Sequence, residues 1–193
     1  IKALEKGKSV NADELISEIN TECEKMNAYV YNEATAILAD GKIPALIGGD
    51  HSTPLGLIKA LGEKHGGFGI LQIDAHCDLR KCYEGFEYSH ASIMYNVLEQ
   101  IPQVKKLVQV GPRDYCQEEA EYINASNNRV KCFFDREIKE ALYEGATWKT
   151  ITQAIVDQLP AHVYISFDVD GLDPKLCPCT GTPVYGGLEL EQV

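Results

Sequence analysis

Three stretches rich in aspartate and histidine carry residue types that could do chemistry together. In Ile73-Asp74-Ala75-His76-Cys77-Asp78, the side chains of Asp74, His76 and Asp78 alternate directly after the apolar run Phe68–Ile73. Alternate side chains of an extended backbone point the same way, so a strand running out into a loop would aim all three at one point. A second pair, Asp168 and Asp170, alternates within Ser166-Phe167-Asp168-Val169-Asp170-Gly171-Leu172-Asp173-Pro174, again after an apolar run. His51 follows a further run, in Gly48-Gly49-Asp50-His51-Ser52. Carboxylate and imidazole donors without thiolate suit a relatively hard divalent ion such as Mn²⁺. The six side chains His51, Asp74, His76, Asp78, Asp168 and Asp170 include four carboxylates, a charge that matches two divalent cations. Crowded without metal, some of those carboxyls would have raised pKa values. Carboxylates bridging two ions roughly 3.5–4 Å apart make a shared water nucleophilic near neutral pH. The implied chemistry is metal-assisted hydrolysis.

Such a cluster needs elements that end at one place. Apolar residues recurring at helical spacing predict one amphipathic helix over residues 13–40 that stops at Gly41, with Thr21 the point at which a break is left open. Residues 42–47, short and apolar, read as a buried strand. Thr53 followed by Pro54 reads as a capping hydroxyl and a first helical proline, with the helix running to Gly66. Strands are then expected at Phe68–Ile73, Val104–Val110, residues 130–134 and Val163–Phe167. Between them lie helices at residues 90–100, 117–124, 136–143 and 148–159. This β-α alternation predicts one α/β domain over residues 1–193, with a mainly parallel sheet covered by helices on both faces. Ligands of such sheets bind outside the carboxyl ends of the strands, where all three stretches fall.

Composition narrows the function classes. The chain has 193 residues and a formal net charge of −11, which argues against nucleic acid or an anionic membrane as partner and suits a small cationic molecule. No apolar run approaches the ~20 residues that span a bilayer, no signal-peptide pattern opens the chain, and a cytoplasmic protein is expected. Seven scattered cysteines read as reduced thiols. Cys177 and Cys179, in Cys-Pro-Cys, could form a thiolate site, but a zinc site usually has a second paired cluster and none is present. They read as a reduced pair in a loop. His65 and His162 match no motif and read as structural or surface residues.

Gly-Gly-Asp-His-Ser at 48–52, Asp-Ala-His-Cys-Asp at 74–78 and Ser-Phe-Asp-Val-Asp-Gly-Leu-Asp-Pro at 166–174 resemble, in order, the signatures of the arginase/agmatinase (ureohydrolase) family. The resemblance, most like a bacterial agmatinase-type member, implies a three-layer α/β/α arginase-like fold and a dimanganese site that hydrolyses guanidino compounds to urea and an amine. Carried over by position, it implies that His51, Asp74, Asp78 and Asp168 hold one Mn²⁺. Asp74, His76, Asp168 and Asp170 would hold the other, so that Asp74 and Asp168 bridge. His90, in Tyr-Ser-His-Ala-Ser, resembles the family histidine that passes a proton to the leaving amine, a task suited to imidazole near neutral pH. Cys179 stands where the family usually has a glycine.

The resemblance further implies a trimer or hexamer, and a substrate-binding glutamate on a later strand beyond Val193. The chain is therefore expected to be a single ureohydrolase-like domain lacking an N-terminal segment and that strand. Agmatine, hydrolysed to putrescine, is the expected substrate. Arginine, guanidino acids and formimidoylglutamate are the alternatives. The rival reading is a truncated domain that binds metal without turnover.

Overall fold

The computed structural model describes residues 11–193. The reading of the chain's start as the remnant of a longer segment lies outside those residues. Helix α1, Ala12–Ala39, begins at Asn11, whose side chain accepts from the Asp13 amide at 3.2 Å, and carries Asp13 and Glu14 in its first turn. Capping oxygen and acidic residues both complement the unpaired amides there. No break interrupts it at Thr21, whose hydroxyl donates to the Ser17 carbonyl. Helix α2, Leu55–His65, packs against α1 at Gly56, where a Cβ would lie 2.2 Å from the Asn27 carbonyl oxygen. Its start differs from the expected cap. Pro54 is the N-cap residue and has no side-chain bond, while the Thr53 hydroxyl turns back to donate to Asp50 O.

The sheet consists of β1 (Phe68–Ile73), β2 (Val104–Val110), β3 (Val130–Phe133) and β4 (Val163–Phe167), all parallel in the order β3-β2-β1-β4. The remaining helices are α3 (Ile93–Gln100), α4 (Gln117–Ala125), α5 (Asp135–Tyr143) and α6 (Trp148–Val156). Phe134, expected in the third strand, is instead the residue preceding α5. The last helix stops short of Leu159 because the residue before a proline, here Pro160, disfavours helical backbone.

Alternation along the strands separates two buried layers. Phe68, Ile70 and Leu107 pack with Ile58 of α2 and with Met94 and Val97 of α3. Val108 and Val110 face Ile138 of α5 and Ile151 and Ile155 of α6 on the other side. The chain thus has an α/β, three-layer arrangement around a parallel sheet.

One expected strand is absent. Residues 42–47 form no ladder and are mostly exposed, with Ile47 at 99%. They lie across a cleft of about 510 Å³ from β4, whose outer edge has no partner strand among the described residues. Apolar β-formers supply side chains for a strand, but a strand also needs a neighbour for its amides and carbonyls.

Candidate metal centre

The three stretches converge at the carboxyl ends of β1 and β4. Asp74 follows β1 directly, and Asp168 follows β4 directly. The two strands are registered Ile73 to Phe167, so their exits lie side by side. The loop carrying Asp170 is drawn tightly onto the β1 exit, since a Cβ on Gly171 would stand 2.9 Å from the Asp74 amide nitrogen. His51 reaches the same place from the turn before α2, and its Nε2 lies 2.7 Å from the Ser166 hydroxyl.

Two groups of donors form, sharing Asp74. On one side, His51 Nδ1 lies 2.9 Å from Asp74 Oδ2 and 2.7 Å from Asp78 Oδ2. On the other, His76 Nδ1 lies 3.4 Å from Asp74 Oδ1 and 3.2 Å from Asp170 Oδ2. The two oxygens of one carboxylate therefore face different clusters. Asp168 is less engaged. Its Oδ2 is 3.7 Å from His51 Nδ1, and its Oδ1 accepts from the Asp170 amide at 3.1 Å. His90 begins a single 3₁₀ turn ahead of α3 and lines the same cleft of about 430 Å³ as His51, His76 and Asp168. Tyr83 packs edge-on to it with ring centroids 5.9 Å apart.

The electrostatics are those of a crowded acidic cluster. Burial opposes charge on His76, but the carboxylates of Asp170 and Asp74 overcome it and raise its pKa to about 10. His51 is also raised well above the ordinary range, with Asp74 and Asp78 outweighing burial. Burial and the negative charge of Asp74 push Asp78 up to about 7. The same two causes raise Asp168. Asp74 is held low, because its contacts with His51 and His76 outweigh its burial.

The donor set fits a divalent cation. His51 Nδ1 is buried and, although close to two carboxylate oxygens, has no hydrogen-bond partner in line. An imidazole nitrogen and converging carboxylate oxygens are the groups a hard or intermediate divalent ion takes. The second ring nitrogen, against Ser166, is oriented as metal-binding histidines usually are.

Further residues around the centre were not singled out in the sequence. Arg113 is half-buried and donates to the carbonyls of Asp170, Leu172 and Val184, holding the third motif in place. Thr182 donates its hydroxyl to Asp170 Oδ2. Gln72, inside the apolar run, donates to Asp74 Oδ2. The sequence shows it only as a lone glutamine in that run, and its full burial, which marks it as bonded, appears in the fold. Cys177 and Cys179 are free thiols and join no cluster of possible ligands among the described residues. His65 and His162 stack on one another, with centroids 5.6 Å apart, near the starts of β1 and β4.

Comparison with known proteins adds the following. The Arginase family model matches residues 5–193. An N(1)-aminopropylagmatine ureohydrolase of Thermus thermophilus is 37% identical over 185 residues, covering 95% of this chain and 59% of that protein. The Synechocystis protein of the same name is 36% identical over 151 residues, covering 77% of this chain and 45% of the other. The crystal structure of arginase from Bacillus cereus superposes with a TM-score of 0.74 at 26% identity, covering 92% of this chain and 63% of that one. The chain thus spans between 45% and 63% of the length of these proteins.

Proposed function

The chain belongs to the arginase family, and from that premise we propose that it hydrolyses a linear guanidino compound to urea and an amine with the help of two Mn²⁺ ions. The observation that carries this reading is the pair of donor clusters sharing Asp74, one of them containing the orphaned Nδ1 of His51. His51, Asp74, Asp78 and Asp168 would hold one ion. Asp74, His76, Asp168 and Asp170 would hold the other. Divalent cations held there would supply Lewis acidity and lower the pKa of water to near neutrality.

The protein's own groups would do the rest. With the four ligand carboxylates balanced by two cations, Asp50 at the cleft and the chain's net charge of −11 would still favour a guanidinium over an anion. His90 lines that cleft and would deliver a proton to the departing nitrogen, which cannot leave as an amide anion near neutral pH. Arg113 and Thr182 would keep the Asp170 loop in register with Asp74. For substrate, we favour agmatine or an agmatine carrying an N1-aminopropyl group, the compound in the names of the Thermus and Synechocystis relatives.

The test is urea release after manganese loading, across agmatine, aminopropylagmatine, arginine, 4-guanidinobutyrate and formimidoylglutamate. Turnover of the agmatine pair above the others supports the reading. Turnover of arginine alone would overturn the substrate. Metal uptake with no turnover of any compound would leave a domain that binds metal without catalysis.

A further inference from the structure

Directly beneath the candidate ligands, the sheet interior carries two amides in a mainly apolar layer, in the same row as the buried Ser166. Gln72 of β1 and Gln109 of β2 are registered neighbours, and both are fully buried. They share a face with Ile70 and Leu107, which pack against α2 and α3. A buried amide is costly unless its polar atoms are bonded, so the pair requires a reason beyond packing.

The hydrogen bonds form one directed chain. Gln109 Nε2 lies 2.7 Å from both Gln72 Oε1 and the Cys77 carbonyl oxygen, two acceptors that fix which end of the amide is nitrogen. Gln72 must then present its oxygen to Gln109 and its nitrogen to Asp74 Oδ2, at 2.8 Å. Gln109 Oε1 is left without a partner, so the amide is held by what it donates to. The Asp74 carboxylate is pinned from both ends, since its Oδ1 accepts from the His76 amide at 2.8 Å. With both oxygens engaged, the carboxylate plane cannot rotate, and one oxygen stays toward each cluster. The bond to Cys77 O, between His76 and Asp78, ties the rest of the ligand stretch to the same amide.

We propose that Gln72, braced by Gln109, is a positioning residue that fixes the rotation of the Asp74 carboxylate and so lets one side chain serve both cation sites. This rests on the two-cation reading above and deepens it. Neither glutamine touches a cation or substrate; each acts through Asp74. Groups of this kind commonly govern metal affinity by about 10–100-fold.

The experiment is Mn²⁺ titration of the full chain after chelator treatment, following free Mn²⁺ by electron paramagnetic resonance, for wild type, Gln72→Met, Gln109→Met and the double variant. Thermal melting of each metal-free protein is the control for folding. The expected result is a loss of affinity of about tenfold or more in Gln72→Met and a smaller loss in Gln109→Met. The loss in the double variant should be smaller than the product of the two single losses, because without Gln72 only the bond of Gln109 to the Cys77 carbonyl remains to be removed. Should Gln72→Met fail to fold, Gln109→Met decides alone, reduced affinity supporting the proposal and unchanged affinity overturning it. Unchanged affinity in a folded Gln72→Met, or independent losses that multiply in the double variant, would overturn it. A wild type that takes up no manganese would overturn the two-cation reading and the proposal with it, a result distinct from wild-type uptake that the substitutions leave untouched.

Discussion

At the scale of single residues, the metal-free site balances its carboxylates with protons held on His51 and His76. In the metal-free protein His76 is held at about 10, with Asp170 and Asp74 overcoming burial. A raised histidine contributes stability that is complete below its unfolded value of about 6.5 and is lost as pH rises through about 10. Asp78, pushed by burial and Asp74 up to about 7, favours its neutral form in the fold, so it also withdraws stability as pH rises toward and through that value. His51 and Asp168 are shifted in the same sense. Chelator-treated protein should therefore melt at falling temperature between pH 5 and 10. Manganese should reverse the trend, because a cation favours the deprotonated ligands. A metal-free melting temperature that rises over that range would contradict these assignments. His90→Asn tests a different role. Urea release should fall about 10²–10⁴-fold with manganese content unchanged, whereas loss of metal in this variant would make His90 a structural residue. The candidate ligands could be picked out in the sequence by residue type and spacing, but strand alternation is not what gathers them: Asp74, His76 and Asp78 lie beyond the end of β1, Asp78 has a φ of 54°, and Asp170 sits in a 3₁₀ turn. Gln72 and Gln109 were hidden because, in sequence, the first is a lone polar residue in an apolar run and the second follows two lysines in its strand, and their meaning depends on the register between the two strands.

Among elements, the strands that carry the site were readable, whereas the strand expected at residues 42–47 does not form. Phe68–Ile73 and Val163–Phe167 have the expected bounds because each finds a parallel ladder partner, β1 being largely buried as well and β4 held along one edge by β1. Residues 42–47 have the same apolar character but no hydrogen-bonding neighbour, and pairing is a long-range property that no local pattern encodes. The approach of the third motif to the second depends on Gly171. A Cβ there would stand 2.9 Å from the Asp74 nitrogen and 3.1 Å from its Cα, both backbone atoms that cannot swing aside. Gly171→Ala should cost about 1–3 kcal/mol of stability, as overpacking in a tight interior does, and should also weaken manganese binding by moving Asp170 away from His76. Denaturant midpoints and metal titration read the two effects. Unchanged values for both would mean that the loops tolerate separation.

Taken whole, the molecule is an acidic protein with its donors gathered at one end of a parallel sheet, and among the described residues no helix is long and apolar enough to cross a membrane. Part of its exposed apolar surface lies along the outer edge of β4, the strand that leads into Asp168. Ile165 of β4 is 62% exposed beside the unpaired strand edge, next to Val163 and Phe167. Open apolar edges pair with other chains, so Ile165→Lys should reduce self-association in light scattering while leaving manganese content unchanged. Greater association in the variant would contradict this reading of the edge. The account as a whole depends on Asp74, the carboxylate common to both donor clusters, serving two cations. Its most direct test is elemental analysis of manganese per chain, after loading and desalting, in wild type and Asp74→Asn. About two ions per chain in the wild type, the number that paired-metal sites hold, with loss of both in the variant, is the predicted result. Wild-type stoichiometry retained in Asp74→Asn, or no manganese in the wild type, would contradict it.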